Sequence, residues 1–187
     1  GSRTFSQPVF ADSLVINGGT ITFDADAAID SGVLLSGLLT GLGNIALAQT
    51  FTWLGGTIDG PGDFNLGVAG TLVITGSAKT LGKDLNVAGT VIWDSGNIAL
   101  TSGARITTLP TGNFNIQTGA DLTGAGPSAF INDGTLTKTD SGTTRIFTTL
   151  SSTGATSLLA GVFQIGTFAI FGPTSSLTGA GTLAVIA

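Results

Sequence analysis

Apolar and polar positions alternate along this chain in short runs, most of them opened by a glycine. The commonest run is Gly, then Thr, Asn or Asp, then apolar, any residue, apolar. It occurs at Gly19-Thr20-Ile21-Thr22-Phe23, Gly43-Asn44-Ile45-Ala46-Leu47, Gly62-Asp63-Phe64-Asn65-Leu66 and Gly70-Thr71-Leu72-Val73-Ile74. It returns at Gly89-Thr90-Val91-Ile92-Trp93, Gly96-Asn97-Ile98-Ala99-Leu100, Gly112-Asn113-Phe114-Asn115-Ile116 and Gly181-Thr182-Leu183-Ala184-Val185, with degenerate copies from Gly134 and Gly161. An alternation of period two is that of a strand with one buried face. Ile21 and Phe23, Phe64 and Leu66, Val91 and Trp93, and Phe114 and Ile116 are expected to point inward. The glycine supplies a tight corner, and the Thr, Asn or Asp after it can bond backbone groups there.

The runs that start at 19, 43, 62, 89, 112, 134, 161 and 181 lie 19 to 27 residues apart. A short repeat at a period near twenty signals a solenoid. A turn of this length, with two or three short strands, matches one coil of a parallel β-helix. The expectation is an all-β chain, a single parallel β-helix (β-solenoid) of about eight coils, roughly 40 Å long at the spacing of paired strands. A second phrase (Leu39-Thr40-Gly41-Leu42-Gly43, Ile58-Asp59-Gly60-Pro61-Gly62, Leu122-Thr123-Gly124-Ala125-Gly126, Leu177-Thr178-Gly179-Ala180-Gly181) supports the stacking. Trp53 and Trp93 share the pattern Trp-x-x-Gly-x-Ile, forty residues or about two coils apart. No linker or second domain is visible. The pattern leaves residues 1–13 as an N-terminal extension and residues 14–187 as the solenoid.

Composition agrees. All 11 acidic residues are Asp, 30 residues are Gly, and there is no Met, Cys, His or Tyr. Such a mixture disfavours long helices. Only 9% of residues are charged, against about a quarter in an ordinary soluble domain. Either the surface is hydrophilic but uncharged, or part of it is buried against copies of itself. The net charge of −5 and six scattered basic residues argue against a nucleic-acid partner. Without Cys there are no disulfides and no thiol chemistry. Residues 32–48 are apolar enough to imitate a membrane span, yet they hold Gly32, Gly37, Gly41 and Gly43 and end in a repeat phrase, so no membrane span is expected.

On its Gly-Thr-Leu and Thr-Gly-Ala-Gly phrases the chain, over most of Leu14 to Ala187, resembles the Gly/Thr/Asn-rich repeat regions of bacterial secreted and surface proteins of the haemagglutinin and autotransporter-passenger kind. The resemblance implies an extracellular rod used as stalk, adhesin or matrix element.

Candidate chemistry is sparse. Asp63 and Asp84, 21 apart, and Asp121 and Asp140, 19 apart, have the spacing to sit side by side as acid and base. Asp63, however, fills the slot that Asn44, Asn97 and Asn113 occupy in other phrases. Asp24, Asp26 and Asp30 offer oxygen ligands to calcium but lack the spacing of an EF-hand, and solvated corner carboxylates account for them. Thr-x-Thr pairs (Thr20/Thr22, Thr50/Thr52, Thr135/Thr137) evoke an ice-binding array but are not regularly spaced along the chain. The aromatic residues mostly take inward slots.

The sequence thus points to a non-enzymatic extracellular structural protein without catalytic residues, metal or cofactor. Its expected partner is itself, in a head-to-tail filament or as an adhesin stalk, with cell-surface or matrix glycans as further candidates. No charged side chain follows Arg145, and the apolar run 181–187 ends in an uncapped strand, an edge open to pairing. Leu183 and Val185 are expected to meet a neighbour there, and Phe5, Val9 and Phe10 to anchor the N-terminal extension to another subunit. A glycan- or ice-binding module is the alternative and would show a regular row of outward Thr or aromatic side chains. A polysaccharide-acting enzyme comes third and would show Asp clustered in a groove.

Overall fold

A computed structural model describes residues 1–186. The described residues are all-β, and their strands form one 24-stranded sheet wound into a solenoid. Every pairing is parallel and joins a strand to its equivalent in the next coil. Three faces result. On face 1, Val9, Ala27, Ile45, Phe64, Leu85, Ile106, Phe130, Leu150 and Ala169 stand in one register column. On face 2 the equivalent column is Leu14, Gly32, Phe51, Leu72, Val91, Phe114, Leu136, Thr156 and Leu177. Face 3 begins with strand Ser2–Phe5 and ends with Thr182–Val185. Nine coils result, one more than the phrase spacing indicated.

The register advances by 18 residues from Val9 to Ala27 and by 24 from Ile106 to Phe130. The shortest coils bend through their corners without breaking the ladder, so Val9–Phe23 and Ala27–Thr40 each wrap all three faces. Residues 1–13, expected to lie outside the solenoid, are part of its first coil. Ser2–Phe5 pairs with Thr20–Phe23, and Val9–Ala11 with Ala27–Ile29. The solenoid therefore takes in the residues before Leu14 as well. The expected final strand 181–187 is Thr182–Val185; Ala187 lies outside the described residues.

The interior is a column of aliphatic and aromatic side chains. Trp93, Phe64 and Phe114 are 0% exposed, as their alternation required, and so are Trp53, Phe51 and Phe130. Ile21 is only partly buried beside the buried Phe23. Gly32 makes room for a ring: a Cβ there would lie 2.8 Å from Phe51 carbons. At the corner between faces 3 and 1, Gly41 turns with φ 124°, and a Cβ would fall 2.0 Å from the Phe23 carbonyl oxygen. That corner accepts no other residue without moving the neighbouring coil.

Asparagine and aspartate stitch the corners between coils. The Asn44 backbone N–H donates to Asp26 Oδ1, the Asp63 N–H to Asn44 Oδ1, and the Arg105 N–H to Asp84 Oδ1, at 2.8–2.9 Å. Asn44 plays the role expected of the residue after the phrase glycine, and Asp26 and Asp84 play it at corners that lack that glycine.

Candidate functional site

Two carboxylates, those of Asp26 and Asp84, take part in this stitching. Asp63 and Asp84 do stand in adjacent coils, since Phe64 is in register with Leu85. Asp84 accepts the Arg105 N–H, and the Asp63 backbone is held by Asn44. Asp121 and Asp140 are not neighbours in register. Leu122 pairs with Ile146, which brings Asp121 beside Arg145 at 3.5 Å, while Asp140 folds back on Lys138 at 3.4 Å. Asp24, Asp26 and Asp30 are divided between the two ends of the strand segment Ala27–Ile29, and among the described residues no group of three or more potential metal ligands stands together.

Three lysines lie inside the coil, which composition did not disclose. Lys79 is buried and donates to the carbonyls of Ser77 and of Ser95, the latter at 3.2 Å. Lys83 donates to the Gly41 and Gly43 carbonyls at 2.9 and 3.1 Å. Lys138 donates to the Asp140 carbonyl at 2.9 Å. The indoles of Trp53 and Trp93 do the same for Gly55 and Gly96. These groups satisfy corner carbonyls that would otherwise be orphaned in the interior. Burial pushes Lys79 down to about 8; it also lowers Lys83, against the opposing charges of Asp63 and Asp59.

The residues expected to mediate self-association lie at the two end coils. Phe5 stacks on Phe23 with ring centroids 5.3 Å apart and remains 37% exposed. Val9 is half-buried against the core. Phe10, 85% exposed, points out of face 1 rather than along the axis, because the alternation that turns Val9 and Ala11 inward turns it outward. At the other end Leu183 is half-buried and Val185 is 68% exposed. A shallow apolar groove of about 420 Å³ runs along face 1 and its corner with face 2, lined by Ala28, Ala46, Ala48, Leu66, Ala88 and Leu109.

The outside of face 2 carries two columns of uncharged side chains. Its first outward column is Ser13, Ser31, Thr50, Thr71, Thr90, Asn113, Thr135, Ala155 and Ser176. Its second is Val15, Val33, Thr52, Val73, Ile92, Asn115, Thr137, Ser157 and Thr178. None of these side chains is charged or aromatic. Thr50/Thr52 and Thr135/Thr137, irregular along the sequence, thus fall in one array, whereas Thr20/Thr22 belongs to face 3. Sequence spacing hid the array because the same phrase opens strands on all three faces. Only the register separates them.

No protein-family model, curated protein or solved structure matches this chain.

Proposed function

We propose that the chain is a non-enzymatic structural rod, displayed at a bacterial cell surface or secreted, that extends by end-to-end pairing with copies of itself. The observation that carries this reading is the unbroken parallel register from Ser2–Phe5 to Thr182–Val185. Each coil buries its inward face on its neighbours, so the mechanical unit is the stack and stiffness follows from repetition. The location outside the cell rests on the resemblance of the Gly-Thr-Leu and Thr-Gly-Ala-Gly phrases to secreted repeat regions.

The two end coils support the association. Among the described residues, Thr182–Val185 pairs with Val162–Ile165 alone, and Ser2–Phe5 with Thr20–Phe23 alone. Free strand edges beside exposed apolar side chains are templates for another strand. The copy supplies that strand, with Leu183 and Val185 closing over Phe5 and Val9. Sedimentation velocity over a range of concentrations tests this. The wild type is expected to grow into longer species with concentration, and Val185→Lys to remain a folded monomer. A wild type that stays monomeric at every concentration would overturn end-to-end pairing.

A further inference from the structure

We propose that the outer surface of face 2 is a binding face for ice. It is distinct from the open coil ends and goes beyond the rod reading. Three features of the face lead there.

The first is its hydrogen-bonding valence. Hydroxyls at the corners are occupied: Thr75 bonds Asp94, Thr111 the Ala88 carbonyl and Thr153 Asp133. Those of Thr50, Thr52, Thr71, Thr90, Thr135 and Thr137 make no hydrogen bond to the protein among the described residues, although each stands in a paired strand. Each therefore offers one donor and two acceptor positions outward. The intervening Val73, Ile92, Asn113 and Asn115 and the threonine methyls add no competing charge.

The second is the spacing. Successive coils repeat about every 4.8 Å, and outward neighbours along a strand about every 6.7 Å. A tetrahedral network of O–H···O bonds about 2.75 Å long places second-neighbour oxygens about 4.5 Å apart and repeats about every 7.3 Å across its puckered layers. The two lattices agree to about a tenth in both directions. The axial mismatch of about 0.3 Å per coil keeps three or four successive coils within about 1 Å of lattice positions.

The third is rigidity. Each hydroxyl sits on a backbone fixed by ladders on both sides, so ordering the face costs little on binding. The other extended repeating surface, crystalline polysaccharide, is gripped through aromatic rings, and face 2 displays none. A charged macromolecule would find no complementary charge there.

The test measures partition of the whole chain into slowly growing ice, together with inhibition of ice recrystallisation. The wild type is expected to enter the ice and to suppress recrystallisation. Thr90→Lys and Thr135→Lys each place an ammonium in the array and are expected to need at least roughly tenfold more protein for the same effect. Thr123→Lys, exposed on face 3, is expected to act as wild type, with circular dichroism showing all three folded. Four results would overturn the proposal. The wild type could be no more active than an inert protein of its size, or the face 2 and face 3 variants could lose activity equally. Retention on cellulose or chitin without partition into ice would assign the face to glycans. A dimer dissolved by Thr90→Lys, with no effect on ice, would assign it to a second copy. A chain that fails here can still sediment as the rod requires, so the two readings fail separately.

Discussion

Lys79 shows how a single side chain is used inside a coil. It takes the inward slot of the strand Lys79–Leu81, in register with Ile98, and its ammonium caps two corner carbonyls. The cost appears in its pKa, pushed by burial from 10.5 to about 8. Between these values the unfolded chain still holds a proton that the folded chain has released, so stability rises with pH across that window. Arg apart, lysine supplies the only basic side chains, and there is no His, Cys or Tyr to obscure the effect. The midpoint of urea unfolding is expected to be higher at pH 10 than at pH 7.5, and Lys79→Met to flatten the rise. A midpoint that falls with pH would contradict the buried ammonium. Phe64, Trp93 and Phe114 were legible as core because their alternation is explicit. The lysines were not, since nothing local distinguishes an inward Lys from an outward one.

At the scale of the element, the phrase Gly-Thr/Asn/Asp-apolar-x-apolar translates directly into corner, inter-coil bond and strand. The strand Asn113–Ile116 is typical: Phe114 meets Trp93 edge-on at 6.5 Å and Phe130 at 4.9 Å, in adjoining coils. Truncating that ring opens a cavity that the ladders cannot collapse. Phe114→Ala is expected to lower the free energy of unfolding by about 3–5 kcal/mol, read by denaturant titration of tryptophan fluorescence. A loss below about 1 kcal/mol would mean that the inward register is misplaced. Two elements escaped the sequence. The first coil carries no phrase before Gly19, because a coil of 18 residues turns its corners within one continuous strand. The hydroxyl columns of face 2 were hidden because their members are separated by whole coils of unequal length.

For the whole molecule, the solenoid architecture was legible and the count of coils nearly so; the faces were not. Phrase starts at 43 and 62 belong to face 1, those at 89 and 112 to face 2, and those at 161 and 181 to face 3. Their spacing therefore mixes one-coil steps with jumps between faces. The core also changes along the axis. The column Ile29, Leu47, Leu66 and Val87 gives way to Thr108, Asn132 and Ser152, where the Asn132 amide donates to Ser152 Oγ at 3.0 Å. The rod and its hydroxyl face both depend on one claim, that successive coils stack in fixed register. The chain has no cysteine, so pairs introduced on the outside of face 2 carry spin labels at chosen sites only. Pulsed electron spin resonance between labels at Thr52 and Thr137, four coils apart in one column, is expected to give about 19 Å. Moving the second label to Ser157 adds one coil and is expected to lengthen the distance by about 4.8 Å. Distances that do not grow by one constant step per coil would contradict the stacked rod and the face built on it.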